Sequence, residues 1–104
     1  MIITTLDYVP GMEITEHYGL VNGSTVRSKH FGKDFLAGFK NIVGGELKAY
    51  TELMEETRNE ATRRMIEQAT SKGANAIVAL RYGTSDVAAG AAEVFAYGTA
   101  VLVR

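Results

Sequence analysis

Two histidines and four serines are the side chains whose types suggest chemistry first. His17 and His30 are the only imidazoles, and the 104-residue chain contains no Cys. A heavy-metal site prefers thiolate or imidazole donors. Here the two histidines stand far apart, in neither an HxH nor an i, i+4 arrangement, so they are weak metal candidates. Ser24, Ser28, Ser71 and Ser85 lie in no GxSxG or SxxK setting that would activate a hydroxyl. Glu55-Glu56 falls on a charged helical stretch, where a solvated face explains the pair. Phosphate-loop glycine patterns are absent. Gly44-Gly45 reads as a helix break rather than an anion cradle. The polar set that remains is Glu46, Lys48, Tyr50, Thr51, Arg58, Arg81, Tyr82 and Glu93. These residues suit either a ligand pocket between subunits or interface hydrogen bonds and ion pairs that fix the geometry of an assembly. No catalytic constellation is met, and no cofactor is indicated.

Composition narrows the partners. Eleven basic and twelve acidic residues give a net charge of −1, which argues against nucleic acid as a partner. Arg63-Arg64 is a small basic patch offset by Glu60 and Glu67. No apolar run approaches the ~18–20 residues of a membrane span. Without Cys there are no disulfides, and a soluble cytoplasmic protein is the expectation.

The elements that must position these residues follow from periodicity. Residues 1–104 are expected to form one domain. A short strand over Ile2 to Leu6 leads to a turn at Val9-Pro10-Gly11. Met12 to Arg27 alternates, with Met12, Ile14, Tyr18, Leu20 and Val26 on the expected buried face. Asn22-Gly23 allows a hairpin turn, but the unbroken phase favours one long strand kinked there. Phe35, Leu36, Phe39, Ile42 and Val43 have helical spacing. A second, longer helix runs from about Glu46 to Lys72, with Leu47, Tyr50, Met54, Ala61, Met65 and Ala69 as its stripe and Gly73 as its C′ residue. Ala74 to Tyr82 and Ala92 to Arg104 read as strands, with a polar turn region over Gly83 to Gly90. The order β-β-α-α-β-β implies an α+β fold, a mostly antiparallel sheet with helix on one face.

A hairpin closing around Val87 would set Arg81 opposite Glu93, Ala79 opposite Phe95 and Ile77 opposite Tyr97. The small even-numbered residues of these strands suit close helix packing. The odd face, with Ile77, Phe95, Tyr97, Val101 and Val103, would then lie open. An apolar face of that size needs a cover, and a second copy of the chain is the simplest.

The stretch GGELKAYTELMEETRNEATRRMIEQATSKGANAIVALRY, from Gly44 to Tyr82, resembles the signature of the YbjQ-like family, small proteins that carry a heavy-metal-binding label. The opening strand, the long kinked strand and the closing YGTAVLV agree with it. The resemblance implies a compact α+β subunit assembled into a ring, a homopentamer, with no established reaction. The expectation is therefore a ring-forming binding or scaffold module. The alternative is a sensor that holds a metal or small ligand at a subunit interface.

Overall fold

The computed structural model describes residues 1–28, 48–88 and 91–104. Its elements are β1 (Ile2–Ile3), β2 (Ile14–Ser28), α1 (Lys48–Ser71), β3 (Ala76–Ala88) and β4 (Ala91–Val103). The four strands form one sheet in the order β1-β3-β4-β2. β4 lies antiparallel between β2 and β3, and β1 pairs parallel with β3. Among the described residues the architecture is α+β, one helix packed on a mixed sheet. The shorter helix expected over 35–43 lies outside the described residues, as do Glu46 and His30.

The long helix closes as its sequence predicts. Gly73 takes φ +91°. Its N–H donates to the Thr70 carbonyl, and the Ala74 N–H donates to Ala69. These are the two bonds of a Schellman cap, which satisfies carbonyls left over at a helix end. Ala61, Met65 and Ala69 are buried against Val21, Ile77, Leu80, Val94, Ala96 and Ala100, with Met54 and Ile66 at the margin.

Gly23 explains how the helix comes so near. A Cβ there would collide with the Ala61 carbonyl oxygen and the Met65 backbone nitrogen. The Asn22-Gly23 pair is therefore neither a turn nor a kink. It lies within a continuous β2, where the missing side chain admits the helix backbone.

The irregularities of β2 fall earlier, between Ile14 and Glu16 and between His17 and Gly19. Gly19 has φ +89°, a bulge conformation that suits glycine. The bulge reverses the alternation. Tyr18 packs against the helix-side core, but beyond it Val21, Gly23 and Thr25 face inward. Leu20 and Val26, expected to be buried, are 67% and 55% exposed.

β3 departs from the expected register in a similar way. Ala79 has φ 53°, and the pairing shifts between Val78 and Arg81. Before the shift Ile77 faces the helix; after it Leu80 does. The strands also continue farther than the turn-like composition suggests, since Ala88 pairs with Ala91. Arg81 therefore stands opposite Tyr97, not Glu93, and Glu93 stands opposite Ser85. In β4 the phase is the expected one, with Val94, Ala96 and Ala100 toward the helix.

The helix-free face is only partly open. Val9 packs on Ala76, Val78, Val101 and Val103. The N-terminal segment thus covers half of a face expected to need a second chain. It is tied down by Thr4 N–H to Ile77, Leu80 N–H to Thr4 and Ala79 N–H to Leu6. The uncovered half carries Leu20, Asn22, Ser24, Val26, Glu93, Phe95 and Tyr97.

Candidate functional site

Three strands bring polar side chains together on that uncovered half. Ser24 of β2 donates its hydroxyl to Glu93 Oε2 at 2.7 Å. Ser85 of β3 donates to Glu93 Oε1 at 3.0 Å. One carboxylate on the central strand is thus held from both sides. A carboxylate offers about four lone-pair sites, so roughly two remain free. Among the described residues no Lys or Arg lies within ion-pair distance of Glu93.

Beside it, the Phe95 and Tyr97 rings stack with centroids 6.0 Å apart and planes at 29°. The Phe95 ring lies across Gly83, in space that a Cβ would otherwise occupy. Leu20, Asn22, Ser24, Glu93, Phe95 and Tyr97 line a shallow groove of about 370 Å³. Alternation explains the grouping: Asn22 and Ser24 on β2 stand across from Tyr97 and Phe95 on β4, and Leu20 and Glu93 lie two residues along their strands on the same face.

The candidate residues read from sequence are scattered. Arg81 shares the helix-free face with Glu93, but its Nη1 donates to the Thr5 carbonyl at 2.9 Å and to the Leu80 carbonyl at 2.8 Å. It ties the N-terminal segment to β3 rather than pairing with Glu93. Tyr82 lies on the other face, its hydroxyl 2.8 Å from Thr62 Oγ1. Lys48, Thr51 and Arg58 are exposed along the helix. The side chain of Tyr50 lies outside the described residues. Ser24 and Ser85, considered only as nucleophiles, are instead the groups that position Glu93. Their joint role depends on strand pairings that no local motif encodes.

His17 is exposed on β2, opposite Val101. Among the described residues no group of three or more His, Asp or Glu side chains is gathered. With no thiolate in the sequence, the described residues of one chain do not form a heavy-metal donor set. No helix among them is long and apolar enough to cross a membrane.

The helix surface carries a charge network. Glu60 accepts from Arg63 through both oxygens, at 2.6 and 2.9 Å, and from Arg64 Nε at 3.1 Å. The Arg63 hydrogen bond is the main cause that holds the Glu60 carboxyl at about 2, below its ordinary 4.5. Arg64 also donates to the Ser24 carbonyl at 2.7 Å, joining helix to β2. The hydroxyl of Tyr18 donates to Glu16, and that bond, followed by desolvation, raises its pKa.

Known proteins resemble this chain in sequence and in fold. A "UPF0145 protein" of Hahella chejuensis is 58% identical over 104 residues, spanning both chains in full. One of Acinetobacter baylyi is 64% identical over 96 residues, 92% of this chain and 89% of that one. One of the archaeon Archaeoglobus fulgidus is 56% identical over 104 residues, covering 100% and 96%. A crystal structure from Pediococcus pentosaceus, titled as a protein of unknown function in the DUF74 family, superposes with a TM-score of 0.68 at 19% identity, covering 100% of this chain and 98% of that one. That likeness is one of fold. None of these names states a reaction. The YbjQ family, described as "Putative heavy-metal-binding", matches from residue 1 to residue 104, and together with relatives more than half identical at full length this makes the chain a member of that family.

Proposed function

We propose that residues 1–104 form the single-domain subunit of a cytoplasmic homo-oligomeric ring, a pentamer in the first instance, that serves as a binding or scaffold module. The observation that carries this reading is the uncovered half of the helix-free face, where Leu20, Val26 and Tyr97 are exposed together. An apolar surface of this kind is what an interface covers.

Two further features support a ring. Among the described residues the outer edge of β2 and the outer edge of β3 beyond Leu80 have no strand partner. These edges differ, so joining one to the other in a neighbour is head-to-tail, and a head-to-tail contact that closes makes a ring. The described residues also form a long, thin body, 54 × 25 × 16 Å with a radius of gyration of 17.3 Å. A compact chain of this length would have about 13 Å.

Light scattering on a sizing column tests the reading. The expected mass is a multiple of 11.3 kDa, with fivefold the first choice. Leu20→Lys combined with Tyr97→Lys should shift the assembly toward smaller species, while Arg63→Ala on the solvated helix should not. A stable single chain at micromolar concentration overturns the ring.

The groove around Glu93 favours a second reading, a small-ligand sensor whose site borders the neighbouring subunit. A fixed carboxylate beside two aromatic rings is a recognition feature that a purely structural face does not need.

A further inference from the structure

We infer that the groove binds a small organic cation, a primary ammonium carried on a short hydrocarbon or aromatic tail. This deepens the reading of the groove as a ligand site and does not depend on the ring, because every group it uses belongs to one chain.

The argument starts from charge. Glu93 is half-buried at the groove, and among the described residues it has no cationic partner. Its two hydrogen bonds come from neutral serine hydroxyls, which fix the carboxylate without neutralising it. A ligand that donates to the remaining lone pairs therefore meets a preorganised acceptor, and the ordering cost has already been met in the fold. A charged N–H donor gives roughly twice the strength of a neutral one at such a carboxylate.

The walls specify the rest of the ligand. Phe95 and Tyr97, whose rings stack on each other, line the groove together with the carboxylate, and a cation within about 6 Å of a ring centroid is attracted by the ring quadrupole. Leu20 gives an aliphatic wall for the tail, and Asn22 adds a polar amide at the margin. A volume of about 370 Å³ is at the small end of ligand sites, enough for a single ring and a short linker. An anion would be repelled by Glu93, and a neutral isostere would forgo the charge-assisted bond. The same groups argue against a transition metal, since one carboxylate and two hydroxyls provide no soft donor.

The test uses phenethylammonium chloride as the probe, titrated into the intact protein by NMR and calorimetry. 2-Phenylethanol and phenylacetate serve as neutral and anionic controls. The expected result is saturable millimolar-range binding of the amine, weakened by added salt, with phenylacetate not binding. Glu93→Gln keeps the side-chain shape and should weaken the amine at least tenfold while leaving 2-phenylethanol unchanged. Tyr97→Leu removes one ring face and should weaken the amine in a chain whose carboxylate is intact, which guards against a folding defect in the first variant. Equal affinity of wild type and Glu93→Gln, equal binding of phenylacetate, or no saturable change at millimolar amine overturns the proposal. Mass is measured on the same samples. A single chain that binds the amine overturns the ring and keeps the site; an oligomer that fails to bind overturns the site and keeps the ring.

Discussion

A single missing methyl group sets the distance between helix and sheet. Gly23 lets the backbone at Ala61 and Met65 approach β2 to a separation that any Cβ would violate. The obstructing atoms are helix backbone, which cannot swing aside as a flexible side chain would. Gly23→Ala should therefore lower stability by about 1–3 kcal/mol, the usual range for overpacking a well-filled core. Urea unfolding checks this, and an unchanged midpoint would show that the helix can lift from the sheet at little cost. This contact was not readable from the sequence, where Asn22-Gly23 has the signature of a turn. The same dipeptide serves a close approach when the strand continues through it, as the unbroken β2–β4 pairing at Asn22 and Gly23 shows.

At the scale of the element, the helix was the most legible part and the strand faces the least. Ala61, Met65 and Ala69 lie in an apolar stripe, which on a helix is about 100° wide and tolerates a small drift in phase, and Gly73 ends the helix where a C′ glycine should. Alternation with period two has no such tolerance, because one extra residue moves every later side chain to the other face. The bulge at Gly19 does this to Leu20 and Val26, and the left-handed Ala79 does it within β3. Neither residue type announces a bulge by itself. For the same reason Ser24, Ser85 and Glu93 could not be read as one group from their positions in sequence. The helix surface also carries a pH dependence of definite sign. Glu60 has a folded value of about 2 against an ordinary 4.5, with the Arg63 hydrogen bond as the main cause. A depressed carboxylate contributes stability that is complete above its ordinary value and is lost as pH falls through the folded one. The contribution should thus be constant at neutral pH and fade between about pH 4.5 and 2. Acid titration of thermal stability should show a shallower decline in that window for Glu60→Gln than for wild type; parallel curves would mean that the surface network is screened away.

At the scale of the molecule, the described residues form a slab rather than a sphere, 16 Å in its shortest dimension, the depth of a sheet and one helix. Such a shape leaves much of its apolar surface near solvent, including Ile2, Ile3, Leu6 and Tyr8 on the N-terminal segment. If neighbouring copies cover these surfaces, folding and association are linked, and the melting temperature rises with protein concentration by mass action. A melting temperature constant across a hundredfold dilution would separate the fold from the assembly.

The central place of β4 has a temporal consequence. The last of the described strands in chain order lies between β2 and β3, and Ile14 pairs with Val103 and Glu13 with Arg104. During synthesis, at about 5–20 residues per second, the helix can form while β2 still has no neighbour to pair with. The sheet must wait for residues 91–103, and its closure spans nearly the full length of the chain. Proteins dominated by such distant pairings fold in roughly milliseconds to seconds, slowly for their size. Until then the exposed β2 edge is a template for any other nascent copy, so the interval before β4 emerges is when this chain is most open to mispairing.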